Sequence, residues 1–334
     1  MNSKQFVQRI IGVILITVSL VGCNAPTTVP PTFPPPTFPP PPTVQPGQPG
    51  PTGQLNPQGS QCREDEFSPI AVISSTDHGA SWTTLGHICY RDSSILSVDC
   101  TAIPSDDGIA LYFIDMKLLQ QPDNVQRTLY RATSMDGVNF DKPQAVLTSK
   151  YDMVDPAVIR TPDGRIRLYV PTAEFAMNAG LLSAVSSDGF NFTRESSLVN
   201  LVGGMPGALV LADGRVRVFA GGDLGPGQRG IFSMISDDGL TFTMEDGFRI
   251  AAASPRQTDM PGDPSPIRLL SGGYLMAFMI NPTDPPDPIK GEYRLATSDD
   301  GFNWTVNPTV IAEGGTSCLV ERADGTLFFY YGSK

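Results

Sequence analysis

With 334 residues, 40% of them hydrophobic, the chain is long enough to bury a sizeable core. Its formal net charge is −11, only 17% of its residues are charged, and Lys and Arg gather nowhere beyond the extreme N-terminus. That pattern excludes a phosphate-binding surface, so nucleic acid is not expected as a partner.

In chain order, Lys4 and Arg9 come first, followed by the apolar run IIGVILITVSL from Ile10 to Leu20. A basic start and an apolar stretch too short to span a bilayer make the layout of a secretory signal, which predicts export. The run ends in Leu20-Val21-Gly22-Cys23, which resembles the lipobox of bacterial lipoproteins. The resemblance implies a signal peptide over residues 1–22, a lipidated Cys23 as the new N-terminus, and an extracytoplasmic place in the bacterial cell envelope, with the lipid as the sole membrane contact. From Asn24 to about Ser60, stretches such as TTVPPTFPPPTFPPPP exclude helix and sheet. They favour extended polyproline II, which at ~3.1 Å per residue reaches on the order of 100 Å. Residues 23–61 are thus expected to form a tether, and residues 62–334 one folded domain, read as a monomer.

Two motifs alternate through that domain. The first is Ser75-Thr76-Asp77-His78-Gly79-Ala80-Ser81-Trp82, followed by SMDGVNF from Ser134, SSDGFNF from Ser186, SDDGLTF from Ser236 and SDDGFNW from Ser298. Each follows an alternating apolar run and predicts a hairpin turn: Asp and Ser bond the turn backbone, and Gly takes the positive-φ position. These turns resemble the Asp-box of sialidase-type propellers, in which the box is structural; four of the five copies lack the residue between Asp and Gly. Trp82 and Trp304 both belong to boxes.

The second motif is a short strand, an Asp-Gly or Gly-Gly turn and a stronger strand. It reads VDCTAIPSDDGIALYF from Val98, VDPAVIRTPDGRIRLYV from Val154, GMPGALVLADGRVRVFA from Gly204, GDPSPIRLLSGGYLMAFM from Gly262 and GTSCLVERADGTLFFYY from Gly315. A period of about 50–60 residues holds four strands, the size of a propeller blade. The domain begins with a second hairpin, SPIAVISSTDHGASWTTLGHI, and ends with a first hairpin, SCLVERADGTLFFYYG. The expected fold is therefore all-β, a five-bladed β-propeller closed by pairing N-terminal outer strands with C-terminal inner strands. Blade four is expected to end at residue 312 and the last inner hairpin to begin at 314. Cys62, Cys89, Cys100 and Cys318 allow three pairings in an exported chain. Cys100 and Cys318 fall near the starts of neighbouring inner strands, which favours Cys100–Cys318 with Cys62–Cys89.

All inner strands start on one face, where the first residues are Asp99, Asp155, Met205, Asp263 and Thr316. Three carboxyls facing one axis repel, and such crowding separates acid from base roles. Asp at a strand start also serves simply to bond backbone amides. Asp155-Pro156-Ala157-Val158-Ile159, with Asp163-Gly164 and an aromatic strand behind it, resembles the inner-strand motif of five-bladed glycosidases, the arabinanase, β-xylosidase and invertase/levansucrase superfamily. That resemblance implies Asp99 as general base and Asp155 as its pKa modulator, and it places the general acid, a Glu in those enzymes, at Met205. A thioether cannot protonate a leaving group, and Cys100 replaces the usual Pro. The acid would have to come from Glu174, Asp223 or Asp263.

Tyr151, Asp152, Phe175, Arg229, Arg256 and Glu313 are expected on the same face, with Tyr151 and Phe175 able to stack on a sugar ring. A sialidase reading needs an Arg triad and a Tyr/Glu nucleophile pair, normally on six blades; the count of five and the lack of an F/Y-R-I-P segment argue against it. His78 and His87 lie away from the axis, so no metal and no cofactor are expected; a hard cation on Asp99, Asp155 and Asp263 is the alternative. Two functions follow: a surface propeller binding carbohydrate or another extracellular ligand in its funnel, or a glycoside hydrolase with a relocated acid. The anchor makes a direct prediction: Cys23→Ser should move the chain from the detergent phase to the aqueous phase in a phase-partition assay and abolish labelling by a fatty-acid probe.

Overall fold

Strands of alternating burial joined at Asp-Gly and Ser-Asp-Gly turns make antiparallel hairpins, and the hairpins stack because both faces of most central strands are apolar. The computed structural model describes residues 67–91, 93, 95–115, 127–149, 153–172, 180–199, 204–225, 227–253, 261–281 and 291–333. The signal segment, Cys23, the proline-rich stretch and Cys62 lie outside the described residues.

The strands in chain order are β1 (Phe67–Ser75), β2 (Thr83–Tyr90), β3 (Ser97–Ser105), β4 (Gly108–Asp115), β5 (Arg127–Ser134), β6 (Asn139–Phe140) and β7 (Gln144–Ser149). They continue with β8 (Ala157–Arg160), β9 (Ile166–Thr172), β10 (Gly180–Ser186), β11 (Thr193–Val199), β12 (Gly204–Val210), β13 (Val216–Gly225), β14 (Gln228–Ser236), β15 (Thr243–Met244) and β16 (Ile250–Ala251). The last are β17 (Pro261–Arg268), β18 (Tyr274–Ile280), β19 (Gly291–Ser298), β20 (Thr305–Glu321) and β21 (Leu327–Gly332). Hydrogen bonding orders them as β3-β4-β5-β7, β8-β9-β10-β11, β12-β13-β14-β15 with β16 also on β14, and a long ladder β17-β18-β19-β20-β21-β1-β2-β6. The inner strands neighbour one another in the cycle β3, β8, β12, β17, β20 and back to β3. The result is all-β with propeller-like closure.

That closure joins the two ends of the folded chain. β1 pairs antiparallel with β21 in unbroken register from Ile70↔Gly332 to Ser75↔Leu327. The long ladder departs from the expected break between residues 312 and 314, because β20 runs through as one 17-residue strand. Its first half pairs with β19 and its second with β21. The passage is made by Gly314 and Gly315: a Cβ on Gly314 would overlap the carbonyl oxygen of Gly332.

Neighbouring sheets are also stitched by polar bonds from a second strand to the next sheet's Ser-Asp-Gly turn. Tyr112 Oη donates to Gly189 O at 3.2 Å, Tyr169 Oη to Gly239 O at 2.7 Å, Arg217 Nη1 to Asp300 O at 3.4 Å and Tyr330 Oη to Gly137 O at 3.0 Å. Within a turn, Asp188 Oδ1 accepts from the amides of Phe190 and Asn191, each at 2.8 Å, while Ser186 Oγ accepts from Gly189 N at 2.9 Å. These donors hold Asp188 far below the usual carboxylate range, and the carboxylates of Asp77, Asp136, Asp238 and Asp300 are engaged in the same way. Both tryptophans are packed at the box ends, Trp82 edge-on to Phe329 and Trp304 edge-on to Phe219.

The inner strands approach so closely that one side chain is forbidden between them. A Cβ on Gly207 would overlap the backbone carbonyl oxygen of Pro264 on the next inner strand. Gly207→Ala should therefore cost roughly 1–3 kcal/mol in urea unfolding, whereas Gly164→Ala, where a Cβ meets nothing within 4 Å, should show only the smaller penalty of its positive φ.

Candidate functional site on the cavity axis

Five residues at or near the starts of the inner strands, Thr316 at the point where β20 passes from β19 to β21, lie in the left-handed backbone region: Asp99 (φ 52°), Asp155 (44°), Met205 (49°), Asp263 (49°) and Thr316 (41°). The strand ladders slip at four of these points, between Val98 and Thr101, Gly204 and Gly207, Gly262 and Ser265, and Gly315 and Ser317. Each is a bulge that takes one residue out of its ladder and re-aims its side chain. Asp tolerates this conformation; Met and above all the β-branched Thr do not, at a cost on the order of 1–3 kcal/mol each.

All five residues line one axial cavity of about 40 Å³, together with Pro156, Pro206, Pro264, Cys100 and Ser317 among others. That is room for two or three waters by a rough count, so a larger ligand has to sit at the mouth with the carboxyls beneath it. Among the described lining residues there is no Lys, Arg or His. Exclusion from water, reinforced by the Asp263 charge, pushes the Asp99 carboxyl up to about 7. Burial likewise lifts Asp155 well above the usual range, with Asp99 and Asp263 adding to the shift.

Asp263 differs from the other two. Tyr293 Oη donates to its Oδ2 at 2.7 Å and Ser317 Oγ donates to the same oxygen at 3.1 Å. Burial raises its pKa and these donors, with the Ser317 amide, pull it back. Hydrogen bonds to the charged form suit a proton acceptor, which weakens Asp263 as the relocated acid. Neither Tyr293 nor Ser317 was expected from the sequence. Tyr293 lies on a third strand, 30 residues from Asp263, and the only available signal was the placement of Ser317 directly after a strand-start residue.

Other expected groups are elsewhere. Asp223 is on the β13–β14 hairpin, ion-paired with Arg229 at 2.8 Å, and neither residue lines the cavity. Glu313 is exposed opposite Glu292, whose carboxylate is held by Arg294 at 2.9 Å. His87 bonds Ser333 at 2.8 Å, and His78 lies on a Ser-Asp-Gly turn at the opposite face. Tyr151, Asp152, Glu174, Phe175 and Arg256 lie outside the described residues. Cys100 and Cys318 are joined in a disulfide with Cα atoms 5.7 Å apart. Cys89 is also disulfide-bonded; its expected partner, Cys62, is outside the described residues. Among the described residues no group of three or more His, Cys, Asp or Glu is arranged to hold a metal ion.

No family model matches the chain, and no curated protein matches it in sequence. Among solved structures, RS223 β-xylosidase is similar over 71% of this chain and 91% of its own, with 14% identity and a TM-score of 0.52. The likeness is one of fold. A structure from work on the GH130 family of mannoside phosphorylases, containing glycoside hydrolases that target β-1,2 mannosidic linkages in Candida mannan, matches 72% of this chain and 85% of its own at 15% identity and a TM-score of 0.49. Trypanosoma rangeli sialidase in complex with the inhibitor DANA matches 78% of this chain but 49% of its own, with 16% identity and a TM-score of 0.47. The chain thus shares the all-β, propeller-like fold of RS223 β-xylosidase.

The buried carboxyls predict an unusual pH dependence. The folded chain keeps the Asp99 proton up to about 7, whereas the unfolded chain releases it near ~3.9. The folded state binds more protons between those values, so stability falls as pH rises through that window. Asp155 and Asp263 act in the same direction. The turn carboxylates act oppositely and only at lower pH. Thermal unfolding should show a midpoint that declines from pH 4 to pH 7, and Asp99→Asn should flatten that decline; an unchanged slope in the variant would exclude Asp99 as its source.

Proposed function

We propose that this chain is a lipid-anchored, extracytoplasmic five-bladed β-propeller on a proline-rich stalk, and that it binds neutral carbohydrate at the mouth of its axial cavity. The observation that carries the reading is the set of three carboxyls on the strand-start ring with no cation lining the cavity among the described residues. Such a floor disfavours anionic ligands electrostatically and offers acceptors to hydroxyl donors. The five strand-start positions and the cycle of inner strands support the blade count. The fold shared with a β-xylosidase supports the choice of ligand class by analogy.

A second reading is favoured by the split among the carboxyls. Asp99, pushed up to about 7, is poised to exchange a proton at neutral pH, burial and like charges raise Asp155 well above the usual carboxylate range beside it, and Asp263, also raised by burial, accepts from Tyr293 and Ser317. That division suits a glycoside hydrolase with Asp99 as base and Asp155 as modulator. Met205 at the third position leaves it without the usual acid, which is why binding takes precedence.

The test uses the full chain in detergent against furanosides, xylosides, fructans and mannosides, with binding followed by calorimetry and cleavage by reducing-sugar release. Binding without release is the expected outcome. Release that falls by about 100-fold or more in Asp99→Asn would establish the hydrolase. Neither binding nor release across the panel would overturn the carbohydrate reading.

A further inference from the structure

Neighbouring inner strands are tied at one repeating register position. Two residues beyond the left-handed position stand Thr101, Ala157, Gly207, Ser265 and Cys318. Thr101 Oγ1 accepts from Val158 N on the next strand at 3.2 Å, and Ser265 Oγ accepts from Leu319 N on the next strand at 2.8 Å. Gly207 instead backs directly onto Pro264. At the seam, where the last inner strand meets the first, the position is Cys318, and it reaches the next strand through its disulfide to Cys100, across 218 residues of sequence.

Both sulfurs belong to buried residues that adjoin the carboxyl cluster. Cys100 follows Asp99. Cys318 follows Ser317, whose hydroxyl donates to Asp263. The groups facing Asp99 are Asp155, just before β8, and Asp263 from β17, with Tyr293 of β19 behind Asp263. When such carboxyls ionise they repel, and no Lys, Arg or His lines the cavity among the described residues to neutralise them. A hydroxyl-to-amide bond can lengthen or exchange with water under that load, whereas a covalent link cannot.

We propose that the Cys100–Cys318 disulfide is a positioning link for the axial site: it fixes Asp99 relative to the Ser317–Asp263 pair across the seam and keeps the cavity narrow and dry. This deepens the site reading given above. Its test does not depend on the identity of any ligand.

The experiment follows the Asp99 carboxyl by ¹³C NMR titration of the full chain in detergent, with the resonance assigned through Asp99→Asn. In Cys100→Ala/Cys318→Ala the midpoint should fall by about one pH unit or more, because water enters and the repulsion relaxes. In Cys100→Ala/Cys318→Ser, which offers a hydroxyl of the Ser265 kind, only a small part of that shift should be recovered, because such a bond yields where the covalent link does not; full recovery would overturn the proposal. An Asp99 midpoint unchanged in the alanine pair, with only the unfolding temperature lowered, would make the disulfide a structural staple and overturn the proposal. Should the alanine pair fail to fold, phosphine reduction of already folded Cys62→Ala/Cys89→Ala protein gives the same comparison: a fallen midpoint supports the link and an unchanged one refutes it. Failure to bind any sugar would leave this titration result standing, so the two readings fail separately.

Discussion

Everything in the folded domain depends on the pairing of its first strand with its last. β1 and β21 share an unbroken ladder, and without it each would present an open edge of unpaired amides and carbonyls. The seam carries further ties. Ser333 N bonds Pro69 O, β2 pairs in parallel with β6 at Cys89↔Asn139 and Tyr90↔Phe140, and the Cys100–Cys318 disulfide joins the innermost strands. The large buried aromatic cluster of Tyr90, Phe113, Phe140, Phe328 and Tyr330 fills the space between the two sheets that meet there. Locking the ends in this way is what allows β20 to lie beside β3 and the axial cavity to exist.

Within the closed ring, the same side chain meets opposite fates on the two faces. Asp188 sits in a turn among backbone amides, which hold its carboxyl far below the usual range; Asp155 sits just before β8 with bulk water shut out and like charges nearby, which push its carboxyl well above that range. The difference lies in the number of donors and the access of water, not in the residue. The turn carboxylates are engaged by their own turns, whereas among the described residues the strand-start carboxyls line the axial cavity. Backbone strain marks the same place, since Met205 and Thr316 accept a left-handed conformation that neither favours. Met205 in particular combines that strain with a side chain that cannot ionise, so the ring keeps its backbone conformation there without a carboxyl.

Much was legible in the sequence because it depended on local periodicity. The repeated SSDGFNF-like turns, the interleaved Asp-Gly hairpins and the half-repeats at either end determined strand order, the all-β class and the closure of the N-terminal strands against the C-terminal ones. They also placed Asp99, Asp155, Met205, Asp263 and Thr316 at equivalent positions. Each of these inferences needs only turn chemistry and a count of residues between turns. The continuous β20 was not legible, because whether Gly314 and Gly315 bend the chain or pass it through is decided by the carbonyl of Gly332 behind them.

The tertiary structure alone decided what the strand-start residues experience. That Tyr293 and Ser317 converge on Asp263 while Asp223 is drawn off to Arg229 depends on contacts between residues far apart in the chain. The left-handed backbone at all five positions, the narrow cavity without a cation among its described lining residues, and the upward displacement of Asp99 and Asp155 arise only when the inner strands are pressed together by ring closure. Sequence periodicity fixes which residues are equivalent, whereas desolvation and hydrogen bonding are properties of the assembled ring, and it is these that divide three identical carboxyls into groups of different proton affinity.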